Sequence, residues 1–305
     1  MKNIAILGAI STDDLKPSPT AEGWNITLSY LNHFKKLNFN AKIYNTLVND
    51  KWNDLNLQLL VKEYKENIFV PDIVFHLDFG FFQSEFLNKK YIPTAKWIAE
   101  SGDDPQNFRL NYSKLSKGNF DLILSPDFRT TQKYTENNFK AAWFPHFADS
   151  DLYADLQQEP IYDCVTTRHY SEPFFLKLKN ILGDSFHPRT EDFFVGKDHT
   201  RHLKKGKIVV QNSKYKEITR RVFEGMMANR LVITDRPDPG TRMDLIFVEN
   251  KHIVYFDSID DCVDKIKYYL ANEPERLSIS QNGYNHVSKN HTTLARVTKL
   301  LELIL

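Results

Sequence analysis

The sequence predicts an α/β protein of two Rossmann-like, doubly wound domains with a cleft between them, and three observations predict it. Short β-branched and aliphatic runs alternate with longer amphipathic runs through most of the chain, the pattern of strand–helix repeats around a parallel sheet. At 305 residues the chain has room for two domains of about 150 residues each. The alternation pauses at "PHFADSD" (145–151) and then restarts as a second series.

In order, "NIAILGA" (3–9) reads as a buried strand, and "EGWNITLSYLNHFKKL" (22–37) as a helix with Trp24, Leu28, Leu31 and Phe34 on one stripe. A strand at 41–47 and a helix at 54–66 follow, then strands at 72–78, 94–100, 121–126 and 140–146. The second series has strands at 161–167, 207–212, 230–235 and 252–257, and closes in helices at 258–271, 274–290 and 292–305, with Gly283 a weak spot in the second of them. The expected domains are 1–150 and 151–290, with a hinge near 147–160 and a C-terminal helix at 291–305 packing back toward the first domain.

Composition narrows the function. With 41% hydrophobic and 26% charged residues the chain is that of a folded protein, and no apolar run reaches the roughly 18 residues of a membrane span. The apolar start is soon followed by Asp13 and Asp14, so it reads as a first strand and a poor signal peptide. Cys164 and Cys262 stand far apart in regular segments and are expected to be free buried thiols of a cytoplasmic chain. A net charge of +1 gives no general support for nucleic-acid or membrane binding.

Familiar fingerprints are missing. "LGAIST" has one glycine where a dinucleotide loop has three, no segment ends in Gly-Lys-Ser/Thr, and there is neither a zinc-spaced Cys/His pair nor a Gly-x-Ser-x-Gly elbow. The informative stretch is "EITRRVFEGMMANRLVITD" (217–235). Ile218, Val222, Phe223, Met226 and Met227 define the buried stripe of a helix expected over 214–228. Glu217 with Arg221 and Arg220 with Glu224 are then i,i+4 pairs of a solvated face, worth a few tenths of a kcal/mol each. Alternatively, the helix follows the buried strand 207–212, and its N-terminal amides and two arginines hold a diphosphate while Glu224 accepts from a ribose diol.

"RRVFEGMMANRLVITDR" with "DLIFVENKHIVYFDSIDDCVDKIKYYLANEPERLSISQNGYNHVSKNHT" resembles the C-terminal domain of GT-B glycosyltransferases, in particular the CgeB-like (spore maturation protein) group, related to glycosyltransferase family four. The family pattern is Phe-Glu-Ala-x-Ala-x-Gly, an apolar strand, a short acidic segment, and a helix pair ending in His-Thr. Upstream, "ESGDDPQNF" (100–108) and "WFPHFADSDLY" (143–153) resemble that group's Asp-Asp-Pro loop and inter-domain crossing. By the resemblance Glu224 is the second glutamate of a Glu-x7-Glu pair and touches the donor ribose. Its partner position, 216, carries lysine, and Asn229 replaces the glycine after the helix. Arg168 stands where the family has a diphosphate-binding arginine, or is an ordinary surface charge.

The resemblance implies a hexosyl- or pentosyltransferase that uses a nucleotide-diphosphate sugar as co-substrate with retention, and needs neither metal nor cofactor. Donor-side residues are then Arg168, Arg220, Arg221, Glu224 and Glu217. On the loop "GDDP" (102–105), Asp103 and Asp104 are either an N-cap ahead of a first-turn proline or the catalytic carboxylates that meet the acceptor hydroxyl. Gly23, opening the first helix behind the long loop 11–22, and His146 are expected on the acceptor side, His146 having a structural reading as well. The acceptor is a glycan, a small molecule or a hydroxylated base in DNA. For the last, "HTRHLKKGK" (199–207) is either a solvated turn or a contact to a phosphate backbone. A two-lobed small-solute binding protein is the alternative outside enzymes.

Overall fold

The computed structural model describes residues 1–10, 24–48, 51–77, 84–153, 158–169, 172–189 and 196–304. It divides into two compact units, Met1–Pro145 with Arg296–Leu305, and His146–Ala295.

In the first unit a parallel sheet runs β2-β1-β5-β6-β7-β8, from β1 (Asn3–Gly8), β2 (Asn40–Asn45), β5 (Ile73–His76), β6 (Lys96–Glu100), β7 (Leu122–Ser125) and β8 (Ala141–Trp143). A two-residue hairpin pair, β3 (Leu47–Val48) and β4 (Lys51–Trp52), stands beside it as a separate ribbon. Helices α1 (Trp24–Lys36), α2 (Leu55–Lys65), α3 (Phe108–Gly118) and α4 (Phe128–Glu136) connect the strands. Buried strands show both faces to helices, so their residues divide by alternation. Ala5, Leu7, Val74, Trp97 and Ile123 pack with Leu57, Leu60 and Tyr134. On α1, Tyr30 and Phe34 set their rings against Phe75, centroids 5.0 and 6.2 Å away. This corrects the expected stripe of α1: Thr27, Tyr30 and Phe34 are buried while Leu28 is exposed, because the i, i+3, i+7 row carrying the two large rings is the one that meets the sheet.

The last residues of the sequence complete this unit. Arg296 is 6% exposed; its Nε donates to the Pro145 carbonyl at 2.7 Å and its guanidinium lies 5.8 Å from the Phe144 ring. Burial brings its pKa down to about 10, against the opposing charges of Tyr30 and Glu100, whose side chains are joined by a 2.9 Å hydrogen bond from the tyrosine hydroxyl.

The second unit has the parallel order β10-β9-β11-β12-β13: β9 (Tyr162–His169), β10 (Phe186–Arg189), β11 (Gly206–Gln211), β12 (Leu231–Asp235) and β13 (Val254–Phe256). On one face Cys164, Ile208 and Val210 pack with Phe175 and Leu178 of α5 (Pro173–Leu182) and with Cys262, Val263 and Ile266 of α8 (Ile259–Ala271). Both cysteines are free and buried, and burial pushes the Cys262 thiol up to about 12. On the other face lie α6 (Gly196–Lys204), α7 (Arg220–Met227) and α9 (Glu273–Asn290), with α10 (Thr293–Ile304) ending the described chain. Gly225 lets α7 lie flat on the sheet: a Cβ there would stand 2.8 Å from Val232 Cγ2. Gly283 lets α9 close on α7 and the turn before β13, where a Cβ would meet the His252 carbonyl at 2.7 Å; the weak spot of the sequence is a packing requirement.

The expected strands are all present, within a few residues of their expected ends. The sequence reading missed the edge strand β10 and the helix before it. It also took 199–207 for a turn, where α6 occupies most of that span. The helix expected at 214–228 is shorter, beginning at Arg220 after Thr219 as N-cap. Ile218 is nevertheless buried, so the apolar spacing foretold burial but not conformation.

Candidate functional site

In an open parallel sheet, ligands gather at the carboxyl ends of the strands where the order reverses. In the second unit that point lies between β9 and β11, since β9 leads outward to β10 and the chain then crosses back to β11. The parallel register pairs Val165 with Val209, and two residues on it sets Thr167 beside Gln211. Both are buried, 4% and 2% exposed. Thr167 Oγ1 and Gln211 Nε2 have no hydrogen-bond partner among the described residues, nor has Oγ1 of Thr219 at the N-cap of α7. By strand alternation Thr167 and Gln211 share the face of Val165 and Val209, the face that α7 covers through Gly225. Unsatisfied buried polar atoms cost about 1–3 kcal/mol each. Thr167 and Gln211, side by side at the strand ends, fit a place filled by a polar ligand.

Glu224 projects from α7, one residue before Gly225. Its side chain is 19% exposed, and its Oε2 lies 3.0 Å from Nε2 of His199 on α6. Burial opposes its ionisation, but the charge and hydrogen bond of His199, then the charges of Arg220 and Arg221, bring its pKa down to about 2. It is therefore a fixed carboxylate at neutral pH. The sequence reading placed His199 only in the basic run 199–207 and gave it no part on the donor side. The findable signal was helical periodicity: His199 and Leu203 are one turn apart, and His202 beside them is buried with its Nε2 2.9 Å from the Thr166 carbonyl.

Arg220 lies in the first turn of α7, with its guanidinium 5.3 Å from the Phe147 ring and no hydrogen-bond or ion-pair partner among the described residues. Arg221 is half-buried beside it. Arg168 is the penultimate residue of β9 and is less available, because its Nε meets the two carboxylate oxygens of Glu172 at 2.8 and 3.0 Å. Glu217 precedes the helix, so it is not a helical i,i+4 neighbour of Arg221; its Oε2 accepts from the Tyr215 amide at 2.7 Å. Lys216 has left-handed backbone (φ 53°), and its ammonium lies 3.2 Å from the buried carboxylate of Asp235. Asn229 takes the left-handed cap after α7 (φ 56°), as asparagine does where glycine is replaced. Arg220, Arg221, Glu224, Lys216 and Arg168 thus belong to the carboxyl-end loops and helix start of one unit.

In the first unit Asp103 and Asp104 part company. Asp103 is exposed, with the Asn107 side chain and amide folded onto it. Asp104 is 4% exposed and accepts from Ser101 Oγ at 2.5 Å, Ser125 Oγ at 3.0 Å and Asn111 Nδ2 at 3.0 Å. Burial raises its pKa in spite of these donors. Neither residue is the N-cap of α3, which is Asn107: the loop adds a turn, held by the Asp104 network, before the helix starts. His146 is half-buried and opens the second unit. Gly23 lies outside the described residues, as do the loop 11–22 and residues 154–157 of the expected hinge.

The basic run 199–207 is not a continuous cationic face. Arg201 pairs with Asp198 at 2.6 Å, Lys204 donates to the Tyr153 carbonyl at 3.1 Å, and Lys207 pairs with Asp163 at 2.7 Å. Among the described residues no three His, Cys, Asp or Glu side chains converge as metal ligands, and no helix is long and apolar enough to cross a membrane.

Residues 177–302 match the family model described as glycosyl transferase-like. Similar solved structures include the sucrose-phosphate synthase of Thermosynechococcus elongatus (TM-score 0.65, 10% identity, covering 99% of this chain and 98% of that one). A glycosyltransferase from Rickettsia africae ESF-5 scores 0.66 at 13% identity, over 99% and 97%. Anabaena HepE, solved in complex with UDP and glucose, scores 0.66 at 8% identity, over 100% and 99%. No curated protein matches the chain. Residues 177–302 thus match a glycosyl transferase-like domain, and the chain has the two-sheet α/β fold of these GT-B neighbours.

Proposed function

We propose that the chain transfers a hexosyl or pentosyl group from a nucleoside-diphosphate sugar to an acceptor hydroxyl. The observation that carries this is the ionised Glu224 carboxylate beside a helix start bearing Arg220 and Arg221. The carboxylate accepts from the ribose hydroxyls. The α7 first turn and the two guanidiniums take the diphosphate, with Arg168 in support once it is released from Glu172. As the sugar–phosphate bond breaks, negative charge grows on the leaving diphosphate, and these cations and the helix dipole stabilise it. That chemistry proceeds without a metal ion. Gln211 Nε2 and Thr167 Oγ1, both without partners among the described residues, offer polar atoms to the same ligand. UDP is the favoured nucleotide, because the related HepE was crystallised with UDP and with UDP-glucose. Retention at the sugar carbon, the CgeB-like affiliation and the relation to family four rest on the resemblance of 220–291, with Lys216 a departure from it.

Of the two loop carboxylates in the first unit, the acceptor contact is assigned to Asp103, which is exposed, since Asp104 is buried in its own network. The acceptor is a glycan or a small molecule. The internal pairing of Arg201, Lys204 and Lys207 removes the main support for a DNA acceptor.

Calorimetric titration of the wild type and Glu224→Ala with UDP, GDP, CDP and their sugars tests the reading. Binding of one nucleotide, weakened about tenfold or more by the substitution, is expected for loss of charge-assisted hydrogen bonds. A folded sample that binds none of them would sink it.

A further inference from the structure

We propose that His199 is a positioning residue for ribose recognition: by holding one oxygen of Glu224, it presents the other to the sugar and keeps Arg220 free for the diphosphate. The proposal rests on the donor reading above and deepens it. A glutamate in a short surface helix has two competing partners. One is an arginine four residues earlier on the same face, here Arg220, and such i,i+4 pairs form readily. The other is whatever the neighbouring helix offers, here the imidazole of His199. In the structure the second has won: Nε2 of His199 stands 3.0 Å from Oε2 of Glu224, while Arg220 makes no ion pair among the described residues and lies over the Phe147 ring.

Two consequences follow from that choice. Glu224 Oε1 is left without a hydrogen-bond partner among the described residues, on a side chain that is still 19% exposed, so it is open to a donor hydroxyl. Arg220 has no hydrogen-bonded carboxylate among the described residues, so its guanidinium donors are available to an anion. Without His199, the Glu224 side chain is free to turn back onto Arg220. Each group would then neutralise the other, and both the ribose and the diphosphate contacts would weaken. His199 needs no contact with the ligand for this. It sits on α6, 25 residues before Glu224 in sequence, and Leu203 one turn on, fully buried, anchors that helix.

The test titrates UDP and 2′-deoxy-UDP into the wild type, His199→Ala, His199→Gln and the double variant His199→Ala/Glu224→Gln, with circular dichroism to confirm folding. The wild type is expected to prefer UDP over its 2′-deoxy form by about tenfold, the worth of one hydrogen bond to a charged group. His199→Ala should lose most of that preference. His199→Gln, whose amide places an N–H donor near the position of Nε2, should recover it. The double variant should be no worse than His199→Ala alone, because the two residues act as one unit. An unchanged UDP/2′-deoxy-UDP ratio in His199→Ala, or equal weakening toward both nucleotides in the alanine and glutamine variants, would overturn the proposal and leave the donor reading standing. Absence of UDP binding by the wild type would overturn both.

Discussion

The ammonium of Lys216 lies 3.2 Å from Oδ2 of Asp235, pairing a half-exposed cation with a carboxylate that is 1% exposed. Asp235 has three further donors, the Ser213 amide at 2.7 Å, the Ser213 hydroxyl at 2.9 Å and the Thr234 hydroxyl at 3.3 Å. The buried partner is thus satisfied mainly by neutral groups of the β11–α7 loop. Lys216→Met should cost no more than about 1 kcal/mol, as exposed pairs do. Asp235→Asn, which turns donor toward donor, should cost about 2–3 kcal/mol. Urea unfolding of both variants checks this; equal losses would mean that the lysine carries the interaction.

Gly283→Ala should destabilise the protein although it improves helix propensity. Alanine for glycine in a helix interior ordinarily gains up to about 1 kcal/mol, but here the new methyl group would sit 2.7 Å from the His252 carbonyl and 3.3 Å from Met226 Cγ. Backbone yields less readily than a side-chain tip, so overpacking of about 1–3 kcal/mol wins. A rise in melting temperature would refute the close approach of α9.

Acid sensitivity should be traceable to Glu224. Its pKa is lowered from 4.5 to about 2 by His199 and the two arginines, against burial. A carboxylate depressed in the folded state contributes stability above its unfolded pKa and loses it as pH falls through the folded one. The contribution is therefore whole above about pH 5 and gone near pH 2, at most about 3 kcal/mol. Denaturant unfolding at steps from pH 6 to pH 2.5 should show wild type and Glu224→Gln converging as pH falls. A difference that stays constant or grows would contradict the assignment.

Arg220→Ala should weaken nucleoside-diphosphate binding more than Arg168→Ala. Among the described residues the first guanidinium has no ion-pair partner and lies near the Phe147 ring, whereas the second must leave Glu172 before it meets a ligand. Calorimetry with UDP should give a loss of about tenfold or more for Arg220→Ala and less for Arg168→Ala. The reverse order would move the diphosphate toward the end of β9.

Most of the architecture was legible because buried parallel strands are near-continuous aliphatic runs, as in "KIVVQN" and "RLVITD". The exceptions have physical causes. β10 reads "FHPR"; as an edge strand bonded only to β9 it tolerates proline and needs little hydrophobicity. α6 reads "GKDHTRHLK", a helix whose buried contribution comes from Thr200, His202 and Leu203, too few apolar residues to show a stripe. Glu224, Arg220 and Arg221 were visible because they sit in one helix next to a strong apolar signal. His199 was not, because its relation to Glu224 is made across two helices, with β11 between them in the chain. The division between Asp103 and Asp104 was equally hidden: adjacent identical residues differ only in that Ser101, Asn111 and Ser125 surround one of them.

Arg296 belongs to the unit that begins at Met1, and this imposes an order on synthesis. A ribosome must deliver all of 146–295 before the residue that occupies the Pro145 carbonyl and packs on Phe144 leaves the exit tunnel. The unit made first is therefore the last to be finished. Until then its nascent form holds the Tyr30–Glu100 pair without the cation buried near it, and a gene cut after codon 145 would encode a fragment that lacks its own closing piece.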